Sequence, residues 1–180
     1  MTSCFILAAG CMPKLDMETL KQMRPQRPAA LSRLDAFVGN WQSESEMRMG
    51  GLDEVIRGSG TSEIRWAGDG WFLVERAKWT MGEMGDMEAM GIWAYDAKGK
   101  KYRTFWVDTM GGTGVGTARY NEKTKTWHLK AKIRTPFGDS IGKGTTRFPD
   151  ADTMEWTWRE YALGGLMKVS EMKGTSKRRP

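Results

Sequence analysis

Glu75, Asp108, Glu160 and Glu171 are the carboxylates placed where they could meet a bound molecule. Counting in twos sets Glu75 with Trp71 and Leu73, Asp108 with Trp106, and Glu160 with Trp156 and Trp158. Residues two apart in an extended chain share one face, so these carboxyls point where the tryptophans point. A carboxylate drawn into an apolar interior is costly unless paired. Either an arginine such as Arg119 satisfies the group in an internal ion-pair and water network, or a polar ligand does. A third use is the two-carboxylate acid and base chemistry of glycosidases, but nothing in the sequence fixes the separation such a pair needs.

Other chemistries find no residues. His128 is the one imidazole in the chain, and alternation sets it beside Lys130 and Lys132, on a face that reads as solvent. Cys4 and Cys11 are the two cysteines, with no CxxC and no His/Cys cluster, so no metal of the zinc type and no internal disulfide is expected. The run "GGTGVG", Gly111 to Gly116, is followed by "TARYNEKTKTW", a strand and turn where a dinucleotide fingerprint requires a helix. No cofactor is expected.

The elements that hold these residues read as strands. From Trp41 the period is two: Trp41, Ser43, Ser45 and Met47 oppose Gln42, Glu44, Glu46 and Arg48. The same alternation returns in "IRGSGTSEIRWA", "WFLVERAKWT", "DMEAMGIWAYD", "KYRTFWVD", "GVGTARY", "TWHLKAKIR", "IGKGTTRF", "TMEWTWREYA" and "MKVSEMKG". Hairpin-type loops such as "DAKGK", "NEKTK", "PFGD" and "FPDAD" separate them, which makes about ten antiparallel strands in one domain. The 9 Trp and 22 Gly suit twisted strands around a wide interior. The fold class is all-β: a single up-and-down barrel over residues 28–177, with residues 1–27 as an N-terminal tail.

Before Trp41, Leu31, Leu34, Phe37 and Val38 form the apolar face of a short helix closed by Gly39, fit to plug a barrel end. Further upstream, "LAAGC" ending at Cys11 resembles a bacterial lipobox and suggests lipidation, with a location in the cell envelope or periplasm; the alternative is an apolar tail on a cytoplasmic protein. The formal charge of +6 is concentrated in "KGKKYR", "EKTKTWHLKAKIR" and the tail "KGTSKRRP". The first two read as a turn and solvated strand faces, and the third as a frayed terminus. No nucleic-acid motif accompanies them.

The helix followed by Gly39-Asn40-Trp41 is similar to the opening of calycin-type barrels, in which that Trp closes the barrel floor. "GNW", "GDGWFLVE" (Gly68 to Glu75), "GIWAYDAKGKKYRTFWVD" (Gly91 to Asp108) and "YNEKTKTWHLKAK" together resemble a bacterial lipocalin-like family, number fifteen seventy-nine among the domains of unknown function. The resemblance implies a β-barrel, often exported, with no established activity. Haem barrels of the nitrobindin type bind iron through a wall histidine near the C-terminus, and no His follows His128 here.

The sequence therefore supports a non-enzymatic barrel that holds a small apolar or aromatic molecule among Trp41, Trp71, Trp93, Trp106 and Trp156, with Glu75 or Arg119 as polar anchor. Two alternatives stand beside it: a structural barrel whose own Trp and Met side chains fill the interior, and a hydrolase or isomerase using the interior carboxylates. Interior volume separates the first two.

Overall fold

The alternation beginning at Trp41 becomes ten strands: β1 (Gly39–Met49), β2 (Ile56–Ala67), β3 (Phe72–Thr80), β4 (Asp86–Asp96), β5 (Lys101–Asp108), β6 (Thr113–Asn121), β7 (Thr126–Thr135), β8 (Gly138–Asp150), β9 (Thr153–Ala162) and β10 (Met167–Arg179). The computed structural model describes residues 16–180; the lipidation reading of Cys11 falls outside them. Each strand pairs antiparallel with its sequence neighbours, and β1 closes the sheet against β10 from Asn40–Arg179 to Met49–Ser170. The short helix α1 (Met17–Gln22) precedes the barrel, its N-terminus capped by the Asp16 carboxylate, which accepts from the Thr19 N–H at 2.7 Å.

A meander gives the barrel two unlike ends. Turns 68–71, 97–100, 122–125 and 151–152 lie at the end where β1 begins, and turns 50–55, 81–85, 109–112, 136–137 and 163–166 at the other. The 3₁₀ helix Ala29–Phe37 plugs the first end. Its buried residues Leu31, Leu34 and Phe37 recur every third position, which is the period of a 3₁₀ helix. The plug read from the sequence is present, wound more tightly than the 3.6-residue helix expected.

Aromatic rings fill this capped end. Phe37 meets Trp93 at 5.1 Å, Trp127 at 5.4 Å and Phe148 at 4.9 Å between centroids, and Trp127 in turn packs on Tyr102 and Tyr120. Two polar ties fix the plug to the wall: the Tyr102 hydroxyl donates to the Ala30 carbonyl at 2.6 Å, and the Trp66 indole N–H donates to Asp35 at 2.8 Å.

Trp41 is fully buried and its indole N–H donates to the Phe37 carbonyl at 2.8 Å, which places it against the helix as expected. Its other face carries the Arg178 guanidinium, 4.3 Å from the ring centroid. That guanidinium also donates to the Ala151 carbonyl at 2.9 and 3.1 Å, to Ala36 at 3.3 Å and to Val38. Gly39, at φ 148°, is needed beside it, because a Cβ there would collide with the guanidinium. The reading of Lys173 to Pro180 as a frayed terminus is thus overturned. The segment is the body of β10, paired with β9 through Lys177 and with β1 through Arg179, and its charge density hid one inward arginine.

Replacing Arg178 by Ala removes charge-assisted hydrogen bonds and a cation–π contact, and urea unfolding should show a loss of about 2–3 kcal/mol. Arg179→Ala, at an exposed neighbour, should stay within about 0.5 kcal/mol of the parent. Equal midpoints for the two variants would refute the role given to Arg178.

Candidate functional site: a tryptophan-panelled lumen

Beyond the capped end the inward side chains become small. Ser43, Ser62, Ala77, Ala89, Thr104 and Ala131 line the wall, and the register sets glycines directly opposite tryptophans. Trp79 faces Gly60, Trp106 faces Gly91 on one side and Gly114 on the other, Trp156 faces Gly174, and Trp158 faces Gly144. Each ring lies against its glycine: a Cβ at Gly60 would sit 2.6 Å from the Trp79 ring, one at Gly144 2.6 Å from that of Trp158, and one at Gly174 would collide with Trp156. Glycine weakens a strand because it has no side chain to pack. An indole laid over it restores that cover, and two of these indoles, Trp79 and Trp156, meet edge to face at 5.7 Å and 88°.

The space so spared stays open. Leu129, Ala131 and Ile133 face inward on β7 yet keep partial accessibility, whereas Trp127 on the same face at the capped end is 1% exposed. About eight strands make a barrel that side chains just fill; this one has ten. The interior is filled at one end and open at the other.

The carboxylates divide in the same way. Asp108 accepts from the Trp106 indole N–H at 3.0 Å with one oxygen and from the backbone N–H groups of Met110 and Gly112 at 3.0 and 2.9 Å with the other. It therefore shapes the β5–β6 turn. Glu160 accepts from the Trp158 indole at 3.0 Å and from the Ser140 hydroxyl at 2.8 Å. Glu75 has no hydrogen-bond partner among the described residues. It sits in the row Ile64–Glu75–Gly91–Trp106, where a Cβ on Gly91 would lie 3.4 Å from a Glu75 carboxyl oxygen and 3.3 Å from the Trp106 ring. Burial without compensation pushes its pKa to about 7.

Of the residues singled out from the sequence, Glu75 and Trp106 line the open half, and Trp156 stands at its border, packed against the core cluster and edge-on to Trp79 at 5.7 Å. Trp41 and Trp93 belong instead to the packed capped end. Trp71 lies in the β2–β3 turn at that end, short of β3. Arg119 stands exposed on the outer wall opposite His128, so it cannot anchor anything in the lumen; it follows inward Ala118, and alternation turns it out. Glu171 also faces outward, where Lys168 and Arg159 hold its pKa below the usual value. The sequence reading missed Trp79 and Trp158 as panels and the glycines beneath them, for which cross-strand register is the signal. Two open concavities of about 1070 and 1030 Å³ are lined largely by outward side chains, among them Glu63, Arg76 and Lys78 in one and Glu44, Arg147 and Lys173 in the other. Among the described residues no group of His, Cys, Asp and Glu is arranged to hold a metal, and no helix is long and apolar enough to cross a membrane.

A closed antiparallel barrel plugged by a helix, with a Gly-x-Trp seat and an aromatic interior, is a lipocalin-like barrel. The chain belongs to the family described as "Protein of unknown function (DUF1579)", which matches residues 27–177. In structure it is similar to Rv2717c from M. tuberculosis, with TM-score 0.67 and 13% identity over 86% of this chain and 100% of that one. It is also similar to the S-type phycobiliprotein lyase CPES from Guillardia theta, with TM-score 0.62 and 11% identity over 87% of this chain and 99% of that one. No curated protein matches the sequence.

The Glu75 environment has a pH signature. Its folded pKa of about 7 lies above the ordinary 4.5, so between those values the folded state holds a proton that the unfolded state has lost. Stability is therefore fully present below about pH 4.5 and falls as pH rises through about 7, by up to roughly 3 kcal/mol. Glu75→Gln should flatten that limb of a stability–pH profile and be the more stable protein at pH 8. Parallel profiles for the two proteins would show that Glu75 is not desolvated.

Proposed function

We propose that the barrel binds a small, largely apolar or aromatic molecule in the open half of its lumen, stacked on Trp106 and anchored by Glu75. One observation carries the reading: an unpartnered carboxyl and an indole face stand on either side of a glycine in a single register row. The half-buried Glu75 carboxyl, which no group among the described residues reaches, is left to water, and a ligand with a donor group takes the place of that water. The Trp106 ring beside Glu75 offers a face for stacking a planar molecule, at about 0.5–1.5 kcal/mol per contact beyond area burial.

The charge inside narrows the class. Glu75, Asp108 and Glu160 face inward, and among the described strand residues Arg178, at the capped end, is the inward cation. An acid-lined, indole-panelled lumen favours a ligand with a hydrogen-bond-donating or cationic group, because a desolvated cation over an indole face gains about 2 kcal/mol. Glu75 takes part in either charge state. Ionised, it accepts from a ligand N–H; protonated, it donates to a ligand carbonyl.

Intrinsic tryptophan emission reports directly on such binding. Titration with neutral and amine-bearing planar aromatics should shift the emission. Trp106→Ala should weaken binding more than tenfold, about 1.4 kcal/mol or more, and His128→Ala on the outer wall should leave it unchanged. For an amine-bearing probe, Glu75→Gln should remove the gain in affinity that the parent shows as pH rises through about 7. If no probe alters the emission, or if Trp106→Ala binds as the parent does, the lumen is not a binding site.

A further inference from the structure

The two barrel ends differ as surfaces. Every turn at the open end carries an exposed large apolar side chain: Leu52 (52% exposed), Met84 (40%), Met110 (37%), Phe137 (92%), and Leu163 and Leu166 (70% and 89%). The described turns at the capped end carry none. An isolated exposed Leu needs no explanation, but large apolar side chains exposed on every turn of one barrel end mark an interaction site.

Charge gives the rim an orientation. Three consecutive turns around the rim, 109–112, 136–137 and 163–166, contain no charged residue, whereas the other two carry Asp53, Glu54 and Glu83. On the outer wall behind the uncharged turns, the register sets Lys130 beside Lys143 and Lys143 beside Arg159, with Lys132 two residues nearer the rim. Like charges directly opposite one another destabilise a sheet. Lys130, Lys132 and Lys143 have no acidic partner among the described residues, and Lys143 rests on the Tyr161 ring at 5.0 Å. Lys132 is about 13 Å of strand from the Pro136–Phe137 turn, within reach of a surface on which Phe137 is seated.

We propose that the open rim is a lipid-docking surface. Phe137, Leu163 and Leu166 enter the interfacial region of an anionic bilayer, and Lys130, Lys132 and Lys143 face its headgroups. Apolar side chains flanked by basic ones are what interfacial binding to anionic lipid requires. The barrel docks and does not span, because every strand carries at least one charged side chain on the outer wall, even beside the apolar patch of Met90, Phe105, Val107 and Val115. Docked this way, the mouth of the lumen opens onto the lipid. The proposal goes beyond the ligand reading and stands without it.

The test is cosedimentation of the full chain with vesicles of phosphatidylcholine mixed with phosphatidylglycerol. The parent should bind. Phe137→Ser with Leu166→Ser should weaken binding at least about tenfold, and Lys130→Gln with Lys132→Gln should weaken it on these vesicles and reduce its salt sensitivity. Phe105→Ser with Val115→Ser, a pair of exposed apolar residues on the outer wall away from the rim, should bind as the parent does. All the substituted side chains are exposed, and near-UV circular dichroism checks that the folds match. The N-terminal tail is common to all variants and cancels. A parent that stays in the supernatant overturns the proposal and leaves the rim to a protein partner. Binding that survives the rim substitutions, or that is lost with Phe105 and Val115 instead, overturns it as well.

Discussion

Closing a sheet requires its first and last strands to find each other, and here the seam is fastened at one cross-strand pair, Trp41 with Arg178. One guanidinium stacks on the Trp41 ring and donates in its own plane to carbonyls of the plug and of the β8–β9 turn. Stacking and in-plane donation are compatible in a planar, delocalised cation and not in an ammonium. The seam, the helix and the turn therefore share a single side chain, and Gly39 exists in the form it does because anything larger would displace it. The aromatic packing of the capped end rests on this fastening, since Phe37 ends the helix whose last carbonyls Arg178 holds.

Width is the second constraint, and the chain meets it in two ways. At the capped end, rings stand edge-on to one another, Trp93 and Tyr102 against Trp127 at 87° and 72°, so their long axes fill the cross-section. In the open half the tryptophans are seated over glycines, which brings each ring closer to the wall, although Trp79 and Trp156 still meet edge to face at 5.7 Å and 88°. What decides between the two is the residue across the strand. An aromatic or branched neighbour pushes a ring toward the axis, and a glycine lets it settle toward the wall.

That dependence explains what could be read in advance. Alternation alone set Trp41, Leu73, Trp106 and Trp127 inward and His128 outward, because a strand's facing is a local property of period two. The Gly-x-Trp placed the plug for the same reason. Whether a tryptophan packs or panels is set by register, which links residues far apart in the chain, as Trp156 is linked to Gly174. Arg119 was drawn inward by the demand for a counter-ion, against the parity of its own strand; the structure leaves Glu75 unpaired instead. Arg178 was hidden by company, standing in "KGTSKRRP", where basic neighbours read as a solvated tail. Trp71 lost its place to a strand boundary, the least legible feature of a sheet.

The separation of charge between the two sides of the wall follows from these choices. A chain with formal charge +6 keeps its strand cations outside, Arg178 excepted, and turns three carboxyls in. Indole N–H groups, themselves part of the panelling, satisfy Asp108 and Glu160, so the rings that line the cavity also hold its acids in place. Glu75 lies deeper, flanked by Ile64 and Gly91, where neither an indole N–H nor a hydroxyl reaches it. Its raised pKa is the cost of that position. Because the ion-paired alternatives all lie on the outer wall, nothing inside the barrel can lower that cost. Proton uptake, water or a guest with a donor group is what remains. The same wall that makes the lumen wide therefore also makes it chemically incomplete.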